Sequence, residues 1–204
     1  MLDSSQAHFE TAEAESGLQL GQLLTPLTRY KDAGLVYGID NGAYSGFEEA
    51  SLLSLLRRQS GARDRCRFVC VPDVVGSARR TMEVFYLWHH KLEGWPVALV
   101  AQDGIEDIPI EWDLLSAVFI GGSTAFKVSA DAKAVVDAAK ILGKWTHMGR
   151  VNTPDRVDLA QSWGIDSIDG TGLSRYSHMR RALNESRLDF DNPRCPPAEK
   201  ETEK

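Results

Sequence analysis

Short apolar runs recur along this chain, and most end in an aspartate, an amide or a pair of glycines just before a helix-like segment begins. The runs lie near 35–39, 67–71, 97–101, 117–121, 145–148 and 165–168. They are short, aliphatic and bounded by Gly or Pro, the pattern of strands buried on both faces. Helix-like segments at 48–59, 78–92, 130–142, 154–163 and 176–188 separate most of them. Ser129 and Thr153 stand where helix N-caps belong, the latter followed by Pro154, and Gly143 and Gly164 stand at C-terminal caps. Alternation of this kind makes a parallel sheet, whose strand ends all point to one rim. A further strand candidate at 18–23 brings the count to seven; an eighth is not recognised. The expectation is an α/β protein with a compact TIM-like (β/α) barrel as a single domain, and an open doubly wound sheet as the alternative. The barrel is expected over residues 17–191, between a flexible N-terminus (1–16) and a disordered tail (192–204) that is charged and rich in proline.

Composition sets the remaining bounds. At 204 residues with 43% hydrophobic and 25% charged content, the chain can bury a core of its own. No run approaches the ~20 apolar residues of a membrane span. Residues 1–16 carry no basic stretch followed by an apolar core, so no signal peptide is expected. An odd count of three cysteines, with Cys66 and Cys70 in one strand candidate, forms neither a disulfide framework nor a zinc motif. A cytoplasmic location is expected. A net charge of −6 argues against nonspecific coating of nucleic acid, though local arginine clusters such as Arg57-Arg58, Arg79-Arg80 and Arg180-Arg181 leave room for a basic rim.

The residues at the strand ends are those a site for a flat, donor-rich ring would use. Asp40 opens Asp40-Asn41-Gly42 and reads either as a turn-forming carboxylate or as an acid/base. Asp73 follows Pro72 and alone reads better as a helix cap. Gln102-Asp103-Gly104 is ambiguous in the same way. Gly121-Gly122-Ser123 exposes backbone N–H groups that could hold a phosphate or a carbonyl oxygen, or form only a tight turn. His147, Arg150 and Asn152 end one strand, an unusual set for packing alone, and Met148 among them reads as core or as the floor of a purine pocket. Asp169 is followed by glycines at 170 and 172 and is either catalytic or bonded to loop amides. No P-loop and no Gly-x-Gly-x-x-Gly helix start is present.

The order of these motifs is more specific than any one of them. Asp40-Asn41-Gly42, Pro72-Asp73, Gln102, Gly121-Gly122, Met148-Gly149 and Asp169-Gly170, with a basic residue beyond, resemble the tRNA-guanine transglycosylase superfamily over about residues 35–175. More narrowly, Phe119-Ile120-Gly121-Gly122-Ser123-Thr124 with Phe126-Lys127, His147-Met148-Gly149-Arg150-Val151-Asn152 and Asp166-Ser167-Ile168-Asp169-Gly170-Thr171-Gly172 are similar to a compact branch of phages and bacteria. That branch is the DNA 7-deazaguanine transglycosylases, which are queuine tRNA-ribosyltransferase-like.

The resemblance implies a pentosyltransferase that replaces guanine in DNA by a 7-deazaguanine derivative through a covalent aspartyl-sugar intermediate. It makes Asp169 the nucleophile and Asp40 the general acid/base. It makes Asp73, Gln102, Gly121, Gly122 and Met148 base-binding residues. Lys127, His147, Arg150, Asn152 and Arg175, with Phe126 beside them, become contacts to base or sugar-phosphate. It implies no metal and no cofactor, the deazaguanine being a co-substrate. The expected partner is DNA with a flipped or single-stranded guanine, with a homodimer or a helper protein as further possibilities and no membrane. The tRNA enzymes carry a zinc site after the nucleophile and a glutamate-bearing loop after Gly-Gly. Here one cysteine, Cys195, follows Asp169, and Ser123–Lys127 stands in place of that loop, so tRNA is the less expected substrate. The same exchange on tRNA, and a small barrel enzyme acting on a phosphorylated metabolite at Gly121-Gly122, are the alternatives.

Overall fold

A computed structural model of the chain describes residues 2–3, 19–27, 32–170 and 176–181. Eight strands run in sequence order across one sheet, and every neighbouring pair is parallel. They are β1 (Leu2–Asp3), β2 (Gly21–Leu24), β3 (Tyr37–Ile39), β4 (Cys66–Cys70), β5 (Val97–Ala101), β6 (Ala117–Ile120), β7 (Trp145–Met148) and β8 (Ser167–Ile168). The helices are α1 (Glu49–Gln59), α2 (Ala78–Trp88), α3 (Thr124–Lys127), α4 (Ala130–Ile141) and α5 (Pro154–Ser162). The strand not recognised in the sequence is β1. It lies within the stretch expected to be flexible and pairs Leu2 with Gly21 and Asp3 with Gln22. No ladder joins β8 to β1 among the described residues.

The sheet curls, and the side chains it encloses report the curl. Phe68 on β4 and His147 on β7 have ring centroids 4.8 Å apart, and Phe119 on β6 lies 4.6 Å from the same imidazole. Strands three places apart in a flat sheet would be separated by about 14 Å. A side chain on β4 can meet one on β7 only across a concave face.

Side-chain alternation along each strand then divides the core in two. Leu23, Phe68, Cys70, Ala98, Val100 and Ala117 form the inner cluster, with Phe119 and Trp145 packed against it. Their strand neighbours Ile39, Val69, Leu99, Val118, Ile120, Met148 and Ile168 belong to the larger outer cluster, shared with Leu52, Phe85, Val136 and Val157 of the helices. Burial of such a Leu, Ile or Phe contributes about 1.5–3 kcal/mol, so this sandwiched layer holds the helices to the sheet. Gly38 faces inward against Phe68, where a Cβ would lie 2.3 Å from the ring. The ladder steps from Tyr37↔Cys66 to Gly38↔Phe68 at that point.

Local signals explain most boundaries. The Ser129 hydroxyl accepts from the Ala132 N–H, and Gly143 and Gly164 take positive φ after α4 and α5. Glu48, Ser77 and Ser123 cap α1, α2 and α3 in the same manner. Thr153 differs from expectation: its backbone has an extended cap conformation, but its hydroxyl makes no cap bond. The segment expected to be helical over 78–92 is α-helical to Trp88 and then tightens into a 3-10 turn, His89–Leu92. Residues 177–181 are helical; the rest of the helix expected to 188, the tail 192–204 and Arg175 lie outside the described residues. Among the described residues, no helix is long and apolar enough to cross a membrane.

Candidate active site

Because all strands are parallel and one residue past each strand end returns to the inner face, the rim collects a defined set. Asp40 follows β3, Gln102 follows β5, Gly121 follows β6, Gly149 follows β7 and Asp169 follows β8. All line one cleft of about 510 Å³, joined by Asp73, Gly122, Lys127, Arg150 and Tyr44. A second cleft, of about 650 Å³, lies outside the sheet against α2 and the 104–109 loop, lined by Arg79, Glu83 and Asp107 among others. It contains none of Asp40, Asp73 and Asp169.

Asp73 is not a helix cap. Its Oδ1 accepts from Asn41 Nδ2 and its Oδ2 from Gln102 Nε2, at 2.8 and 2.6 Å. Asn41 is buried and its second amide hydrogen goes to the Val71 carbonyl, while Gln102 Oε1 accepts from the Gly76 N–H. Each Asp73 oxygen thus spends one lone pair on a fixed amide and keeps another for a donor in the cleft. Burial pushes the Asp73 carboxyl above the usual carboxylate range, against the pull of those two amides. Asp40 Oδ1 accepts from the Gly42 N–H, at 3.0 Å. Burial, and then the Asp169 and Asp73 charges, push its carboxyl up to about 6. A group so poised can both give and take a proton near neutrality.

Asp169 is held by a chain of polar groups reaching into the interior. The Trp145 Nε1–H donates to Ser167 Oγ at 2.9 Å, and Ser167 Oγ lies 2.8 Å from His147 Nδ1. His147 Nε2 lies 3.0 Å from Asp169 Oδ2. An indole nitrogen can only donate and a carboxylate can only accept, which with a neutral imidazole fixes every proton in between. His147 Nε2–H donates to Asp169, and Nδ1 accepts from the Ser167 hydroxyl. His147 is wholly buried, and burial holds its pKa below the usual value, so the imidazole is neutral despite the facing carboxylate. The second oxygen, Asp169 Oδ1, accepts from the Arg150 N–H at 2.8 Å.

Arg150 reaches that position in the left-handed region, with φ of 58°. Its guanidinium donates to the Gly122 carbonyl at 2.7 Å and lies over the Tyr44 ring, 4.8 Å from the centroid. One residue therefore ties the ends of β7, β6 and β3 together at the mouth. Tyr44 itself is 71% exposed, an aromatic face on the rim beside the cleft.

The Gly121-Gly122 corner is packed too closely for a side chain. A Cβ on Gly121 would lie 2.7 Å from Val100 Cγ1, and one on Gly122 would lie 2.6 Å from Asp103 Oδ2. The Gly121 N–H is spent on the Ala101 carbonyl, and the Ser123 N–H and hydroxyl both donate to the Asp103 carboxylate. The anion hole that the glycines suggest is thus occupied by a carboxylate of the protein's own, which disfavours a phosphate there.

Of the residues singled out in the sequence, the cleft brings together Asp40, Asp73, Gln102, Gly121, Gly122, Lys127, Arg150 and Asp169. His147 lies beneath them as a partner of Asp169. Met148 is a correction. Alternation puts its side chain on the outer face of β7, 1% exposed in the layer between sheet and helices, so it does not floor the cleft. Asn152 is half-buried with its Oδ1 near Gly170, and it does not line the cleft. Sequence reasoning named Asn41 and Asp103 only as parts of turns, without a role of their own, and missed Tyr44 and the Trp145–Ser167 pair. The last shares its inward parity with His147 and Asp169, a signal available in the alternation. Among the described residues, no cluster of three or more His, Cys, Asp or Glu side chains could hold a metal ion.

Fold and site together define a parallel α/β protein with a carboxylate-lined cleft at the C-terminal rim of its sheet. No protein-family model matches the chain, and no curated protein matches it.

Proposed function

We propose that the protein is a base-exchange enzyme that replaces guanine in DNA by a 7-deazaguanine derivative, with Asp169 forming a covalent bond to the sugar. The observation that carries this reading is the convergence of Asp169 and Asp40 on one cleft beside Asp73, whose free lone pairs suit the N1–H and exocyclic amine of a guanine. The reading rests also on the resemblance to the guanine transglycosylases, and with it we infer that the curled sheet closes, β8 against β1, as a barrel.

The chemistry follows from the groups present. Asp169 attacks the anomeric carbon as the bond to guanine N9 breaks, and the oxocarbenium character of the transition state is stabilised by the same carboxylate. The bonds from His147 Nε2–H and the Arg150 N–H hold both carboxylate oxygens in place and leave one lone pair on each for the sugar. Asp40, protonated below about pH 6, gives its proton to the departing purine. As a carboxylate it then takes the N9 proton of the incoming deazaguanine, whose nitrogen displaces Asp169. Two displacements retain the configuration at carbon. A paired guanine is out of reach, so the base enters flipped or from a single strand, at a cost of a few kcal/mol. Tyr44 offers a face for stacking at the mouth.

The test is incubation of the protein with guanine-labelled DNA, and separately labelled tRNA, with a panel of 7-deazaguanines. Labelled guanine released from DNA and not by Asp169→Asn supports the proposal. Release from tRNA alone keeps the chemistry and changes the polymer. No release from either, with the fold intact, overturns the reading.

A further inference from the structure

Lys127 is the one amine among the described residues that line the cleft, and the exchange chemistry above gives it no task. It ends the short helix α3, yet its side chain is 4% exposed and runs inward under the rim. Nζ donates to the Gly149 carbonyl at 2.8 Å, its single described partner. No carboxylate pairs with it at ion-pair distance among the described residues. This burial is unlike that of a phosphate contact, which needs a charge at the open rim. Lys127, Gly149 and Asp169 all line the cleft, and the Asp169 charge acts on the amine. A sugar held at Asp169 would thus lie in the cleft whose wall carries the amine.

Desolvation, and next the neighbouring Arg150 cation, bring the Lys127 amine down to about 8. Those are the two means by which a lysine becomes a nucleophile toward carbonyl carbon.

We propose that Lys127 is a second nucleophile of this cleft, forming an imine with the ring-opened aldehyde of an abasic deoxyribose and cleaving the strand on its 3′ side. The proposal rests on the reading that the cleft accepts a DNA sugar. The neutral amine adds to the C1′ aldehyde, and loss of water gives the iminium. The C2′ proton then passes to a cleft carboxylate, the C3′–O bond breaks, and the 3′ phosphate leaves with the downstream strand. Hydrolysis of the conjugated iminium returns the amine and an unsaturated aldehyde. No oxidant or reductant is required.

The experiment uses the full chain, a single-stranded oligonucleotide carrying one preformed abasic site, and sodium cyanoborohydride to reduce the imine to a stable amine. The expected result is strand cleavage without the reductant and, with it, a protein–DNA adduct that peptide mapping assigns to Lys127. Lys127→Met, which keeps the length of the side chain without the amine, is expected to lose both. Mapping on the wild-type protein keeps the test decisive even if that variant fails to fold. No adduct, or an adduct at another lysine or at the N-terminal amine, overturns the proposal. Since the abasic strand contains no guanine at the reacting position, trapping at Lys127 can succeed where guanine exchange fails, and the reverse, so the two readings fall separately.

Discussion

His147 Nε2–H donates to Asp169 Oδ2 at 3.0 Å, from an imidazole with no exposed surface. With the Arg150 N–H on the other oxygen, it fixes the orientation of the Asp169 carboxylate, which can only accept and so puts the imidazole proton on Nε2, while the Ser167 hydroxyl donates to Nδ1. Misplacing a reacting group by about 1 Å can cost about 100-fold in rate, because the group is still present but is no longer aimed.

Ser167→Ala removes the donor to His147 Nδ1 and leaves the Trp145 indole N–H unpaired. Single-turnover guanine release is expected to fall by up to about 100-fold, with the KM for the incoming base unchanged. Stability is expected to drop by about 1–3 kcal/mol, the cost of leaving a buried polar group unsatisfied. A loss of stability with unaltered release would assign the chain a structural role only.

Asp40 links activity to pH and to stability in opposite senses. Its folded pKa, about 6, stands above the ordinary aspartate value of 3.8, so the folded state holds the proton more tightly between those values. Stability therefore falls as pH rises through that window, and above it the buried charge is a standing cost. Asp40→Asn keeps an oxygen for the Gly42 N–H. It is expected to gain ~1–2 kcal/mol at pH 8 relative to wild type, to gain nothing near pH 3, and to lose exchange. Thermal melts at the two pH values measure the first effect. For the wild type, release of guanine in a single turnover is expected to decline as pH rises above about 6.

Much of this arrangement was legible in the sequence. The strands expected at 97–101 and 145–148 end where the ladders end, and the apolar runs delivered Asp40, Gln102, Gly121 and Asp169 to one rim. What was not legible has identifiable causes. Leu2–Asp3 is too short to form an apolar run, and only its pairing with Gly21 and Gln22 makes it a strand. Tyr44 sits in a turn, where an exposed aromatic carries no periodic signal. Asn41 and Gln102 act on Asp73 from two different strand ends, a contact across 32 and 29 residues that no local pattern encodes. Of the two readings open for Met148, strand parity selects core over the base-binding place that the resemblance implies: His147 and Gly149 face inward, so the residue between them faces out.

Glycine substitutions should separate close approach from flexibility. A Cβ at Gly170 would lie 2.0 Å from the Val151 carbonyl oxygen, part of a backbone that cannot yield as a side chain does. Gly170→Ala is expected to cost about 3 kcal/mol, toward the upper end for overpacking, and to displace Asp169 beside it. A denaturant midpoint unchanged from wild type would contradict this.

Arg150→Gly tests the two ends of that residue apart. Glycine tolerates φ of 58° and keeps the N–H to Asp169 Oδ1, but it removes the guanidinium from Gly122 and Tyr44. Relief of left-handed strain offsets the lost contacts, so the melting temperature is expected to stay within the equivalent of about 1 kcal/mol. Affinity for a guanine-containing strand, read by fluorescence anisotropy, is expected to weaken. Arg150→Ala is expected to be less stable than Arg150→Gly; the reverse order would contradict the strain.

The central claim is that Asp169 becomes bonded to a sugar, and mass spectrometry of the trapped protein tests it most directly. The protein would be mixed with a guanine-containing single strand in the absence of any incoming base, denatured, digested and mapped. The account predicts one equivalent of guanine released per adduct formed, with the nucleotide on the peptide that carries Asp169 and no adduct in Asp169→Asn. Guanine release with no adduct, or an adduct on another residue, would contradict it.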